Sequence, residues 1–271
     1  MERPSSEDAD LALRKEACEF KCKCENERQG DLDRGDGLNC ELCRNKGYIV
    51  KPKLYGKNYE ITQVKCECWK QRKTMSDLRK SGLEAMMLRY NFTEYTTEHP
   101  WQAGVLSKAK AFLREEGEKW FFIGGMTGSG KSHICTAIAS DLLIEKKKEV
   151  RYMMWRDESR KLKATINDAD CSIDEYKEVE VLYIDDLFKT AKSELGKKMM
   201  YPSQGDINVA FEILNSRYLA NKKTIISTEF SIQELFDVDE AIGGRIRERC
   251  GEYCINIPRD ISKNYRLKGH L

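Results

Sequence analysis

The sequence predicts an α/β protein: a parallel sheet with helices on both faces, preceded by a small cysteine-rich domain. Three observations carry this. Segments of strand and helix character alternate from about residue 100 onward. Residues 125–132 read Gly-Met-Thr-Gly-Ser-Gly-Lys-Ser, a complete G-x-x-x-x-G-K-S pattern, set between the apolar run Trp120–Ile123 and a helical pattern at Ile134, Ala137, Ile138 and Leu142. Seven of the eleven cysteines (18, 22, 24, 40, 43, 66 and 68) fall in the first 68 residues.

The elements follow in order. Residues 1–75 form the cysteine-rich domain, a basic helical linker spans 76–100, and the α/β domain covers 101–271. The pattern predicts a helix over 103–116, a strand over 120–124, a helix over 131–146, a strand over 150–154 and a helix over 157–166. A strand over 179–184, a helix over 206–220 and strands over 223–228 and 253–257 complete the sheet. In the helix after Asp206, positions 207, 210, 211, 214 and 218 form one apolar face and are read as core. Ser231 with Glu234 three residues on makes a capping box.

The formal net charge is +2, so global charge excludes little. Local charge is uneven. Residues 44–80 hold eleven Lys or Arg against three acids, an excess of +8, whereas residues 1–36 hold seven against eleven, −4. A basic block suits nucleic acid or a solvated helix face. The acidic first twenty residues lack a signal peptide's apolar stretch, and no run reaches the ~20 apolar residues of a membrane span. The chain is therefore expected to be soluble and cytoplasmic. Its cysteines then argue for metal or plain burial, not a disulfide framework. Cys135, Cys171, Cys250 and Cys254 are read as small buried hydrophobes.

The glycine-rich pattern is a phosphate-binding loop. Gly125, Gly128 and Gly130 let the backbone amides of Met126, Thr127, Ser129 and their neighbours turn toward phosphate oxygens, with the following helix, opening at Ser132-His133, adding its positive end. Lys131 reaches the β- and γ-phosphates and Ser132 offers a hydroxyl to Mg²⁺. Val181–Ile184 is a buried strand ending in Asp185-Asp186. At the carboxyl end of a parallel strand, Asp185 holds the Mg²⁺ shell and Asp186 orients an attacking water. Ser227 or Thr228, ending the next strand, is placed to bond the γ-phosphate or its water, or simply terminates the strand. Gly243–Arg249 is arginine-dense, and Arg245 is the candidate for an arginine donated to a neighbouring subunit's nucleotide, the alternative being a solvated helix face.

From about Phe92 to Lys268 the chain resembles the AAA+ ATPases of the DnaC/DnaI replicative-helicase-loader family, which includes phage-encoded loaders and IstB transposition helpers. The residues carrying the resemblance are Phe92-Thr93, the loop continued as Ser132-His133, Tyr183–Leu187, Thr224–Thr228, Arg245–Cys250 and Asn264–Lys268. It implies Asp185 as Mg²⁺ partner, Asp186 as the catalytic acid, a sensor at Thr228, an arginine finger at Arg245 and a nucleotide-sensing Arg266. Glu229 stands where the family usually has asparagine.

Cys40-x-x-Cys43 and Cys66-x-Cys68 are the best metal ligands in the cysteine-rich domain. A C-x-x-C turn sets two thiolates on one side of a knuckle, Gly47 lets the chain turn away, and residues two apart on a strand share a face. A hairpin between the pairs would return the second to the first. Four thiolates favour a closed structural Zn²⁺ site that supplies much of the domain's folding energy. Cys22 and Cys24 are an alternative pair.

These readings imply an ATP- and Mg²⁺-dependent helicase loader that binds single-stranded DNA and a replicative hexameric helicase. It would act as an ATP-dependent homo-oligomer, with residues 1–75 as the partner-binding end. Trp155, Arg156, Arg160 and Lys161 are the expected DNA contacts. The alternatives are an IstB-like transposition ATPase and a zinc-dependent DNA-binding protein with a nucleotide switch.

Overall fold

A computed structural model describes residues 6–80, 83–165, 173–189 and 201–267. The chain forms two compact units, Met1–Ser76 and Asp77–Leu271. Cys171 and Lys268 lie outside the described residues. Among the described residues no helix is long and apolar enough to cross a membrane.

The first unit opens with helix α1 (Ser6–Glu27), followed by the short α2 (Asp33–Asp36) and the antiparallel hairpin β1 (Tyr48–Tyr55) and β2 (Asn58–Lys65). Helix α3 (Cys68–Lys80) leads out of the unit. The sequence pattern misses α1 because the helix is mostly charged. Its surface is held by pairs one turn apart, Arg14–Asp10 at 2.6 Å and Lys15–Glu19 at 3.7 Å. Its inner side buries Cys18 and Cys22 against Val50, Tyr48 and Tyr59 of the hairpin. The Asn26 amide fixes the register, donating to Val50 O and accepting from Val50 N, both at 2.9 Å.

The linker region is not one helix. After α3 come α4 (Leu83–Arg89), the turn around Asn91–Tyr95, and α5 (Pro100–Phe112). α5 starts earlier than expected because Pro100 sits at its first position behind a His99/Gln102 capping box. The second unit continues with β3 (Phe121–Gly125), α6 (Lys131–Ile144), β4 (Val150–Met154), α7 (Trp155–Thr165), α8 (Ile173–Glu178) and β5 (Val181–Leu187). It ends with α9 (Gln204–Leu219), β6 (Lys223–Thr228), α10 (Ile232–Val238), α11 (Glu240–Cys250) and β7 (Cys254–Ile257).

The five strands are parallel in the order β4-β5-β6-β3-β7. α6 lies against β4, β5 and β6 and carries α4 and α5; α7, α9 and α11 form the second layer, with α8 against α9. Alternate strand residues serve the two layers. Phe122, Met153, Leu182, Ile184 and Ile226 join Val209, Ile213 and Ile246 in one core. The Ser231/Glu234 capping box forms as expected.

The buried stripe of α9 is Asp206, Val209, Ala210, Ile213, Leu214 and Arg217, so the expected core position 211 is wrong: Phe211 is 37% exposed. The stripe's polar end explains the shift. Arg217 is fully buried and donates to five backbone carbonyls, of Tyr176, Lys177, Val179, Glu180 and Lys223, and to Thr224 Oγ1. It ties the segment after α8 to the start of β6. Replacing Arg217 with Met is expected to destabilise the second unit by more than about 4 kcal/mol, because several buried acceptors lose their donor together. Denaturant unfolding followed by tryptophan fluorescence measures this.

Candidate functional site

The first turn after β3 is shaped by glycine. Gly125 (φ 105°) runs so close to β7 that a Cβ would sit 2.0 Å from Ile257 O. Gly128 (φ 75°) is equally crowded, by the Asn264 side chain, while its carbonyl accepts from Tyr265 N at 2.9 Å. The loop's shape is thus set against the segment 257–265. Ser129 Oγ donates to Met126 O at 2.7 Å. Lys131 Nζ donates to Gly125 O (3.0 Å) and Met126 O (2.7 Å). Burial pulls the Lys131 ammonium down to about 8, against the attraction of Asp186 and Glu229.

β6 separates β3 from β5, so the loop and the carboxylates meet across it. Ser132 Oγ donates to Asp185 Oδ1 at 2.9 Å. Tyr183 OH (2.9 Å) and Ser227 Oγ (2.5 Å) donate to the same oxygen, and Tyr152 OH donates to Oδ2 at 3.1 Å. Ser227 Oγ also accepts from Asp186 N at 3.0 Å. Thr228 is not in this network. Strand alternation turns it the other way, where its buried hydroxyl donates to Leu187 O and accepts from Phe230 N. Of the two β6 hydroxyls expected near the phosphate, Ser227 touches the acids and Thr228 does not.

At the end of β5 the pairing with β6 slips between Ile184 and Leu187, and both Asp186 (φ 57°) and Phe188 (φ 63°) adopt left-handed backbone. Such conformations concentrate at functional sites. The turn brings Lys189 Nζ to 2.6 Å from Asp186 Oδ2 and 3.5 Å from Glu229 Oε1. Burial, with Asp185 adding like charge, raises the Asp186 carboxyl; its two acidic neighbours raise the Lys189 ammonium against burial.

These groups open onto a cleft of about 330 Å³ lined by Thr127, Gly128, Gly130, Lys131, Ser132 and His133 from the loop side, by Asp186, Lys189 and Glu229 from the strand ends, and by Tyr90, Tyr95, Tyr265 and Arg266. His133 is stacked on Tyr90 (centroids 4.9 Å apart), and its Nε2 lies 2.8 Å from Asn91 O. Tyr152, Tyr183 and Lys189 were not legible as site residues, since their partners are fixed only by the tertiary fold.

The cysteine cluster is built by a tight knuckle. Arg44 (φ 50°), Asn45 (φ 64°) and Gly47 (φ 79°) all take left-handed backbone. Buried Asn45 holds it, accepting from Cys40 N (2.7 Å) and Arg72 Nη2 (3.0 Å). The hairpin returns Cys66 so that its N–H donates to Gly47 O at 2.9 Å. The Sγ atoms of Cys40, Cys43, Cys66 and Cys68 all lie within 4.8 Å of one another, with Cys40–Cys66 at 3.8 Å and Cys43–Cys68 at 3.5 Å. A tetrahedral ZnS₄ centre with bonds of about 2.3 Å has edges of about 3.8 Å, so the donor set fits zinc. Burial raises the Cys66 and Cys68 thiols, while for Cys43 burial is outweighed by the Gly47 amide and neighbouring thiols, which bring it down to about 7. Cys22 and Cys24 do not join: Cys22 is buried in the α1–hairpin core and Cys24 is exposed.

No family model matches the chain. Among curated proteins it is 32% identical to the uncharacterized protein YqaM of Bacillus subtilis over 233 residues, 82% of this chain and 72% of YqaM. It is 29% identical over 250 residues to XkdC of the phage-like element PBSX of B. subtilis, covering 89% of this chain and 90% of XkdC. It is 25% identical over 183 residues to the replicative helicase loader DnaC of Escherichia coli, covering 65% and 69%. These likenesses support a helicase loader of the DnaC/DnaI type. A crystal structure of the DnaC helicase loader superposes with a TM-score of 0.52 at 19% identity, over 65% of this chain and 99% of that one, which places the second unit in the same AAA+ fold.

Within this loader fold the remaining expected residues separate clearly. Arg266 lines the cleft. Arg245 does not line its own chain's cleft: it lies on α11 with its guanidinium over Phe211 (5.1 Å) and Tyr218 (5.5 Å), donating to Ala241 O. Trp155 is no DNA contact. It is 1% exposed and packs edge-on against Phe188, whereas Arg156, Arg160 and Lys161 of the same helix face solvent. Cys135 and Cys250 are fully buried as expected; Cys254 is only half-buried.

Proposed function

We propose that the chain is an ATP-dependent helicase loader that uses Mg·ATP to control its grip on single-stranded DNA and on a hexameric replicative helicase. The observation that carries this is the Ser132–Asp185 contact across β6, which joins a phosphate loop to a paired carboxylate in a chain similar to helicase loaders. Ser132 and Asp185 would hold Mg²⁺, whose chemistry there would be to offset phosphate charge. The loop amides and Lys131 bind the β- and γ-phosphates, Lys131 exchanging its two carbonyl partners for phosphate oxygens. Tyr152, Tyr183 and Ser227 hold Asp185 in place, and Asp186 orients the attacking water. Tyr90, Tyr95 and Tyr265 give the nucleoside aromatic walls. In the first unit, Zn²⁺ held by Cys40, Cys43, Cys66 and Cys68 supplies a structural tie, and that unit forms the partner-binding end.

Arg245 acts on a neighbour's nucleotide in an ATP-dependent homo-oligomer, supported by its absence from its own cleft. Arg245→Ala is expected to lower ATP turnover by about 10³-fold or more with nucleotide affinity retained; loss of nucleotide binding by monomers would refute a role in trans. The loader reading itself is tested by co-purifying the full chain with a hexameric helicase in the presence and absence of Mg·ATP. Nucleotide-sensitive capture is expected, and no capture in either condition would refute it.

A further inference from the structure

The ends of β5 and β6 bring Asp186 and Glu229 to the cleft, with Asp185 buried beside them. That charge must be offset before a phosphate can approach. Asp185 is satisfied by four hydroxyls. Lys189 reaches both Asp186 and Glu229, at 2.6 and 3.5 Å. It also lines the cleft with Lys131, and its side chain is 35% exposed. The β6 hydroxyls are committed elsewhere: Thr228 to backbone groups and Ser227 to Asp185. Glu229, the first residue after β6 and part of the cleft lining, cannot itself bind phosphate. A lysine is a compact charge on a flexible stem and exchanges one oxygen partner for another readily.

We infer that Lys189 is a further γ-phosphate contact of this site, beside Lys131, held by Asp186 and Glu229 until a triphosphate enters and then shared with its terminal oxygens. This rests on the nucleotide-binding reading above. It makes Lys189 a residue that favours ATP over ADP, since a diphosphate has no group to draw it off the carboxylates. Lys131 serves both nucleotides through the β-phosphate.

The test is calorimetric titration of the full chain with magnesium complexes of ADP and of a non-hydrolysable ATP analogue. Lys189→Met is expected to weaken the analogue by about 10- to 100-fold and to leave ADP within about twofold, the size of one lost charge-assisted hydrogen bond. Lys189→Arg should keep most of the preference, because it keeps the charge. Retained ADP binding also reports that the variant is folded. An unchanged preference in Lys189→Met overturns the assignment, as does an equal loss for both nucleotides. Wild-type chain that binds neither nucleotide overturns the ATPase reading and the assignment together.

Discussion

Replacing Lys131 with alanine is expected to abolish ATP turnover, by at least about 10²-fold in kcat, without unfolding the chain. The size follows from placement. Lys131 is 6% exposed, at the start of α6, in a cleft whose walls exclude much of the water that would screen it. Its ammonium points into the loop itself, with the Gly125 and Met126 carbonyls as its partners. Removing it leaves those two carbonyls near open space, where water can satisfy them, so the fold should lose little. The check is steady-state ATP hydrolysis alongside thermal unfolding: unchanged hydrolysis would reject the assigned site, and a collapsed melting transition would make the activity loss uninformative about the phosphate contact. Because burial lowers the Lys131 ammonium to about 8, nucleotide affinity should fall as pH rises through that value, and this limb should be absent from the alanine variant.

The second large effect lies in the cysteine cluster. Cys40→Ser combined with Cys43→Ser is expected to strip the metal, which metal analysis should find at about one zinc per chain in the unaltered protein. The first unit should then unfold. Its apolar cores are only a few side chains, Cys18, Cys22 and Val50 in one and the thiols themselves in the other. Structural zinc contributes on the order of 10 kcal/mol to such small domains, more than those contacts can replace. ATP hydrolysis by the second unit should survive, which distinguishes metal loss from general damage. Zinc retained in the double variant would point to Cys22 and Cys24, and Cys24→Ser alone should leave the metal in place.

The parallel sheet and phosphate loop were legible because they depend on local pattern. A buried strand such as Val181–Ile184 reads as an apolar run, and α6 as a 3.6-residue repeat. The thiol set was legible because chain spacing and a hairpin are enough to bring four ligands together. What was not legible depends on packing. α1 has little apolar periodicity and is stabilised by surface pairs and one buried side. On α9 the buried arginine pulls the stripe round by part of a turn and leaves Phe211 outside. Trp155 looked like a stacking platform because it neighbours basic residues, yet it opens a helix directly at a strand end and is drawn into the core. The choice left open between Ser227 and Thr228 has the same origin: two adjacent hydroxyls at a strand end point to opposite sides, and only the sheet's register decides which one meets the acids.

Three groups expected to meet a nucleotide are already bonded within the chain: Lys131 to two carbonyls, and Ser132 and Lys189 each to a carboxylate. Association therefore replaces existing bonds instead of filling vacancies, so its net strength is a small difference between large terms. A cleft of that kind holds its geometry through its own bonds.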